Sequence, residues 1–175
     1  MIRKLFFAGS GGQGVLMMGQ IISYAAMHQG LEVTFLPSYG PEMRGGTANC
    51  TVVVSDKPVS SPVIFEADAV VAMNLPSLLK FEPLVKPGAS LLLNSSLIAE
   101  KAKRDDIHVL YVPANDIAAE LGSTKCANFV MLGALLRELD IVEPESVDYA
   151  MVKMLTGNKA RFLDLNRNAL AAFKN

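Results

Sequence analysis

The chain has 175 residues, enough for one domain that buries roughly 70% of its unfolded surface and too few for two ordinary ones. Sixteen basic against 17 acidic side chains give a net charge of −1, so overall electrostatics favour neither nucleic acid nor an anionic membrane as partner. With 51% hydrophobic residues, 19% charged ones and a mean hydropathy of +0.32, the chain is apolar enough that something beyond an ordinary core is expected to be covered.

Arg3 to Ala8 runs into Gly9-Ser10-Gly11-Gly12-Gln13-Gly14 and then into the apolar segment Val15 to Met27, a strand, a glycine turn and a helix. Gly9, Gly11 and Gly14 fit the G-x-G-x-x-G spacing. In that pattern a bare backbone turns sharply and approaches a ligand, while the helix N-terminus points unpaired N–H groups at an anion. No Asp, Glu, Lys or Arg occurs from Leu5 to Leu31, yet Gly9 to Gly14, Gly19, Gln20 and Ser23 interrupt the run. It falls short of the roughly 18 to 20 unbroken apolar residues of a membrane span and lacks a signal peptide's layout. The expectation is a helix covered partly by its own sheet and partly by another protein chain.

Leu31 to Leu36 reads as a second strand ending at Pro37, followed by a loop from Ser38 to Gly46 and a β-branched strand from Thr47 to Ser55. After the Asp56-Lys57-Pro58 turn, Val59 to Phe65 is expected to return beside that strand, a hairpin-like insertion that makes the sheet mixed. Asp68 to Met73 reads as a buried strand, Pro76 to Val85 as a short helix, and Ala89 to Leu93 as a strand after the Lys86-Pro87-Gly88 turn. Ile107 to Val112 is a further strand. Helices follow over Asn115 to Leu121, closed by Gly122, then Lys125 to Leu139, Glu145 to Leu155 and Lys159 to Phe173. The whole, residues 1–175, reads as a single three-layer α/β/α Rossmann-like domain with a mixed, mostly parallel sheet.

A dinucleotide site needs an acidic residue at the end of the second strand to hold the ribose. Here Glu32 lies near the start of that strand, Glu42 lies past its end, and the one nearby arginine is Arg44 in the loop. An NAD or FAD site is therefore disfavoured, and no G-x-x-x-x-G-K-[ST] supports ATP binding. His28 and His108 are isolated from any triad pattern, and Asp105-Asp106 reads as a solvated turn. Cys50 and Cys126 have neither metal nor disulfide spacing and are expected to be reduced, buried thiols of a cytoplasmic protein. Neither a catalytic residue nor a metal ligand is expected, and the chain is not expected to run a reaction alone.

Gly9-Ser10-Gly11-Gly12-Gln13-Gly14-Val15 followed by Pro37-Ser38-Tyr39-Gly40-Pro41-Glu42-Met43-Arg44-Gly45-Gly46-Thr47-Ala48 closely resembles the gamma subunit of the 2-oxoacid:ferredoxin oxidoreductases, most of all the 2-oxoglutarate enzyme. Ala72-Met73-Asn74, Asn94-Ser95-Ser96, Val112-Pro113-Ala114 and Lys125 to Ala134 extend the resemblance over nearly the full chain. It implies a multi-subunit enzyme that oxidatively decarboxylates a 2-oxoacid, transfers the acyl group to coenzyme A and passes electrons to ferredoxin. Thiamine diphosphate, Mg²⁺ and iron–sulfur clusters would belong to partner alpha, beta and delta or equivalent subunits, with none bound by this chain alone. The resemblance points to Gly11, Gly12, Gln13, Gly14, Tyr39, Glu42, Arg44, Gly45 and Gly46 as contacts to coenzyme A or to a subunit interface. Gln13 would hydrogen-bond across that boundary, and the Arg44 guanidinium would meet a phosphate or carboxylate, or else pair with Glu42. Two alternatives stand beside this reading: a free-standing nucleotide-binding module, and a purely structural subunit whose glycine loops shape an interface.

Overall fold

A computed structural model describes residues 1–39 and 47–174 of the chain. Six strands, β1 (Ile2–Ser10), β2 (Glu32–Tyr39), β3 (Thr47–Ser55), β4 (Ala67–Ala72), β5 (Val85–Asn94) and β6 (His108–Val112), form one sheet in the order β2-β3-β1-β4-β5-β6. The β1–β4, β4–β5 and β5–β6 pairs are parallel, and β3 lies antiparallel between β2 and β1. Among the described residues five strands thus share one direction and β3 alone is reversed.

Period-two alternation decides which side chains face which layer. Leu5, Phe7, Val52, Val54, Val71 and Leu92 enter one core with helices α1 (Val15–His28), α3 (Ala114–Glu120), α4 (Ala127–Glu138), α5 (Pro144–Met154) and α6 (Leu163–Ala172). Their neighbours Phe6, Ala8, Val70, Ala72, Leu91 and Leu93 enter a smaller core on the opposite face, closed by α2 (Leu75–Phe81). Each fully buried Leu or Phe contributes about 1.5 to 3 kcal/mol of transfer free energy, so the larger cluster dominates stability. The outcome is an asymmetric three-layer α/β/α domain.

Glycine sets how closely α1 approaches the sheet. A Cβ at Gly19 would fall 2.6 Å from Cys50 Sγ and 3.0 Å from Phe35 Cε2, so the helix rests directly on β2 and β3. The other side of α1 packs against α5 and α4 of the same chain, and Met18, Ile21, Ile22, Ala25 and Ala26 are all buried. The uncharged run therefore finds most of its cover within the chain, and the partner invoked for it from sequence is not required.

The mixed character of the sheet arises differently from the sequence expectation. Residues 59–65 form no strand. β3 already has β2 on one side and β1 on the other, so no ladder position remains beside it, and Pro62 carries no N–H to donate. The reversal comes instead from β3 pairing with β2, register Tyr39↔Ala48 at one end and Glu32↔Ser55 at the other. β2 continues through Pro37 because it is an edge strand, where a missing donor is tolerated. The expected Lys86-Pro87-Gly88 turn is an irregularity inside β5, with Gly88 at φ 78° and its N–H donating to the Asp106 carbonyl at 2.7 Å. The helices expected from Pro76, Lys125 and Lys159 are each part 3₁₀: Glu82–Leu84 after α2, Thr124–Cys126 before α4, and Gly157–Phe162 before α6.

Candidate functional site: the glycine turn at the carboxyl edge

The parallel strands deliver several short motifs to one edge of the sheet. Gly11 to Gly14 follow β1, Met73-Asn74 follow β4, Asn94-Ser95-Ser96 close β5, and Pro113 follows β6. Thr47, opposite Ser10, opens the antiparallel β3 at that same edge, and Tyr39 ends β2 opposite Ala48. The intervening positions, which include Glu42, Arg44, Gly45 and Gly46, lie outside the described residues. The carboxyl edge of a parallel sheet is where α/β folds bind ligands, because the loops there are free to diverge without disturbing the ladder.

Within the turn, Gly12 (φ 87°) and Gly14 (φ 71°) occupy the left-handed region that L side chains rarely adopt. Gln13 N–H donates to the Ser10 carbonyl at 3.2 Å. Its side chain folds back: Oε1 accepts from Ser10 N–H at 2.7 Å, and Nε2 donates to the Met73 carbonyl at 3.4 Å. The contact across a subunit boundary expected of Gln13 is thus matched by two partners inside the chain. Behind the turn, Asn128 Nδ2 donates to the Gly14 carbonyl at 3.3 Å. Gly11 and Gly12 are exposed, and open space lies where a Gly12 Cβ would stand.

Gly14 is the N-cap of α1 and supplies no side-chain cap, and the first turn of the helix holds no acid. The leading N–H groups of α1 therefore keep their positive partial charge. Beside them lies a cleft of about 360 Å³ lined by Gly12, Gly14, Lys125, Asn128, Lys159 and Asn166 among others. Two lysines and a helix N-terminus can hold an anionic or hydrogen-bonding group, while the cleft contains no activated nucleophile. Cys126, which also lines it, is 1% exposed, and burial pushes its thiol pKa up. A cleft of about 480 Å³ between α4, α5 and α6 lies away from the glycine turn.

The strand order bears on the dinucleotide question. In a dinucleotide fold the second strand lies beside the first and brings its terminal acid to the ribose. Here β3 stands between them, antiparallel, and places Thr47 and Ala48 beside Ser10 and Gly9. That intervening strand moves the end of β2 a further ~4.8 Å away. The missing acidic residue and the inserted strand exclude the same contact for independent reasons.

His28 and Asp106 have structural surroundings. His28 stacks on Tyr149 with ring centroids 4.0 Å apart and shares a 3.0 Å hydrogen bond with Ser146 Oγ. It sits at the far end of α1, roughly 20 Å from the glycine turn by helix rise. Asp106 forms a 2.6 Å ion pair with Arg104, which holds its carboxyl below the usual range. Among the described residues no three His, Cys, Asp or Glu side chains gather into a metal site, and no helix is long and apolar enough to cross a membrane. Sequence reasoning placed Gly9 in the turn but missed Asn128 and the Met73 carbonyl as its partners. Asn128 stands 114 residues from Gly14, and only its polarity inside the apolar run Ala127 to Ala134 marks it.

A family model described as pyruvate ferredoxin/flavodoxin oxidoreductase matches residues 4–173. The chain is 37% identical over 170 residues to the ketoisovalerate oxidoreductase subunit VorA of Methanothermobacter marburgensis, covering 97% of this chain and 35% of that protein. It is 34% identical over 155 residues to the 2-oxoglutarate synthase subunit KorC of Methanocaldococcus jannaschii, covering 87% of this chain and 83% of that protein. The chain thus spans about a third of the length of the VorA relative. Among solved structures, the keto/oxoacid ferredoxin oxidoreductase gamma subunit from Geobacter sulfurreducens superposes with a TM-score of 0.83 at 28% identity, covering 97% of this chain and 95% of that one. The 2-oxoglutarate:ferredoxin oxidoreductase from Magnetococcus marinus shares the fold at a TM-score of 0.87 and 23% identity, over 97% of this chain and 30% of that one. The chain accordingly belongs to the pyruvate ferredoxin/flavodoxin oxidoreductase family, as its gamma-type domain.

Proposed function

We propose that this chain works as the gamma component of a multi-subunit 2-oxoacid:ferredoxin oxidoreductase and helps to enclose coenzyme A against the thiamine-bearing subunits. In that reaction the 2-oxoacid loses CO₂, its acyl group bonds to the coenzyme A sulfur, the thiol proton is released and two ferredoxins each gain one electron. The chain's own part is binding and orientation. The carrying observation is the exposed Gly11-Gly12 backbone beside the uncapped α1 N-terminus and the Lys125–Lys159 cleft, a surface suited to a phosphorylated ligand.

An iron–sulfur cluster does not fit the described residues, and among them no three His, Cys, Asp or Glu side chains gather to hold a metal ion. Cys50 and Cys126 are separately buried, and a [4Fe–4S] cluster needs four thiolates. Thiamine diphosphate, Mg²⁺ and the clusters are assigned to alpha, beta and delta or equivalent partners. Relatives are named for ketoisovalerate and for 2-oxoglutarate. Within the proposal 2-oxoglutarate is favoured by the overall sequence pattern, and a pyruvate or branched-chain enzyme is the alternative. A purely structural role for the turn is the second reading, favoured by the intrachain hydrogen bonds of Gln13.

The test is reconstitution with the cognate subunits. Ferredoxin reduction is followed with 2-oxoglutarate, 2-oxoisovalerate and pyruvate, with coenzyme A varied and this chain present or omitted. The chain alone should turn over none of the acids, and turnover by the pure chain would sink the subunit reading. In the assembled enzyme Arg44→Ala should raise the KM for coenzyme A roughly 10- to 150-fold, the loss of a charge-assisted contact of about 1.5 to 3 kcal/mol. Unchanged coenzyme A kinetics and assembly in that variant would end the functional role of the second loop.

A further inference from the structure

The β1–β4 ladder stops one rung early, and a side chain occupies the gap. Ala8 pairs with Ala72, and Met73 N–H donates to the Ala8 carbonyl at 2.9 Å. In a parallel ladder the next bond would run from Ser10 N–H to the Met73 carbonyl. Those two groups are instead joined through Gln13: Ser10 N–H donates to Oε1 at 2.7 Å, and Nε2 donates to the Met73 carbonyl at 3.4 Å. The amide cannot be the other way round, since Ser10 N–H only donates and the Met73 carbonyl only accepts.

This rung stands at the topological switch point of the sheet. From β1 the chain turns towards β2 on one side, and β4 continues the sheet on the other, so the strand ends part and leave the crevice in which doubly wound folds take ligands. Glycine at position 9 makes the room. A Cβ there would lie 2.6 Å from Gln13 Oε1, 2.8 Å from Val15 Cγ2 and 2.9 Å from Met73 Cβ.

We propose that Gln13 is a positioning residue: its carboxamide is the resident occupant of the switch-point crevice, keeps other ligands out of it and holds Gly11 and Gly12 above it in their receiving conformation. A ligand or partner then meets the outer face of the turn. The importance of that face for coenzyme A rests on the function proposed above, whereas the occupancy of the crevice does not.

Two measurements on the reconstituted complex separate the claims. The first is hydrogen exchange of residues 9–14, read by mass spectrometry, in wild type, Gln13→Ala and Gln13→Glu. Gln13→Ala should exchange roughly tenfold faster, as expected for losing one or two hydrogen bonds. Acetamide, which replaces the deleted atoms, should restore the protection, and Gln13→Glu should fall between because it keeps the acceptor facing Ser10. Wild-type exchange in both variants, or faster exchange that acetamide leaves untouched, overturns the proposal. The second is the coenzyme A KM of the same variants. A rise in Gln13→Ala with kcat held, partly reversed by acetamide, carries the role through to the reaction. Faster, acetamide-sensitive exchange with an unchanged KM upholds the occupied crevice and overturns the coenzyme A reading of the turn.

Discussion

Asn128 and Gly14 are locked together: the Asn128 Nδ2 donates to the Gly14 carbonyl, and a Cβ at position 14 would overlap that same nitrogen. The contact fastens the start of α1 to the start of α4 and so fixes the cleft between them. Gly14→Ala must adopt φ 71° with a side chain and displace Asn128. Left-handed backbone costs roughly 1 to 2 kcal/mol and the lost hydrogen bond about 1 more. For a domain of this size that lowers Tm by roughly 4 to 12 °C. Gly12→Ala meets no neighbour and should show the backbone contribution alone. Calorimetry of the two variants and of Gly14→Ala/Asn128→Ala checks this. A double variant more stable than the sum of the singles is expected, because truncating Asn128 removes the overlap.

Both cysteines should count as thiols in denaturant with or without reductant. In the native protein Cys50, 0% exposed, has its thiol pushed up to about 12 by burial, so at pH 8 almost no thiolate is present. It should resist a disulfide-exchange reagent that reacts with both thiols after unfolding. Fast native labelling at Cys50, or fewer than two thiols without reductant, would contradict the two free, buried cysteines.

Acid should loosen the last two helices first. The Arg167 guanidinium on α6 bonds both carboxylate oxygens of Asp148 on α5, at 2.6 and 2.9 Å, and holds that carboxyl below its ordinary value of 3.8. A depressed folded-state pKa means that the pair stabilises above the unfolded value and fades as pH falls through the folded one. Both partners are over a third exposed, so the contribution is small and screened by salt. Tm measured from pH 6 to pH 2.5 should fall less steeply in Asp148→Asn than in wild type. Parallel curves would remove the pair from the acid response.

Nicotinamide cofactors should not bind. Antiparallel β3 separates β2 from β1, and Gln13 fills the crevice between β1 and β4. Titration calorimetry with NAD⁺ and NADH should show no saturable heat. A dissociation constant of micromolar order, about −8 kcal/mol of binding free energy, would overturn both parts of that exclusion.

The strand, glycine turn and helix at the N-terminus were legible because glycines, apolar periodicity and β-branched runs act locally, through backbone conformation and the alternation of faces. The family resemblance was legible for the same reason, since its motifs are contiguous. Residues 59–65 were misread because β-propensity says only that a segment can pair, while an open ladder position depends on what already lies beside β3. The cover over α1 was misassigned because α5 lies more than 100 residues downstream in the sequence. Composition and local patterning by themselves pointed to one apolar α/β domain with a mixed, mostly parallel sheet. Only the tertiary structure decided that β3 would part β2 from β1, that Asn128 would back Gly14, and that Gln13 would replace the missing rung beside Met73. Each of those contacts joins groups distant along the chain, and their geometry exists only once the sheet order and the helix packing have been chosen together.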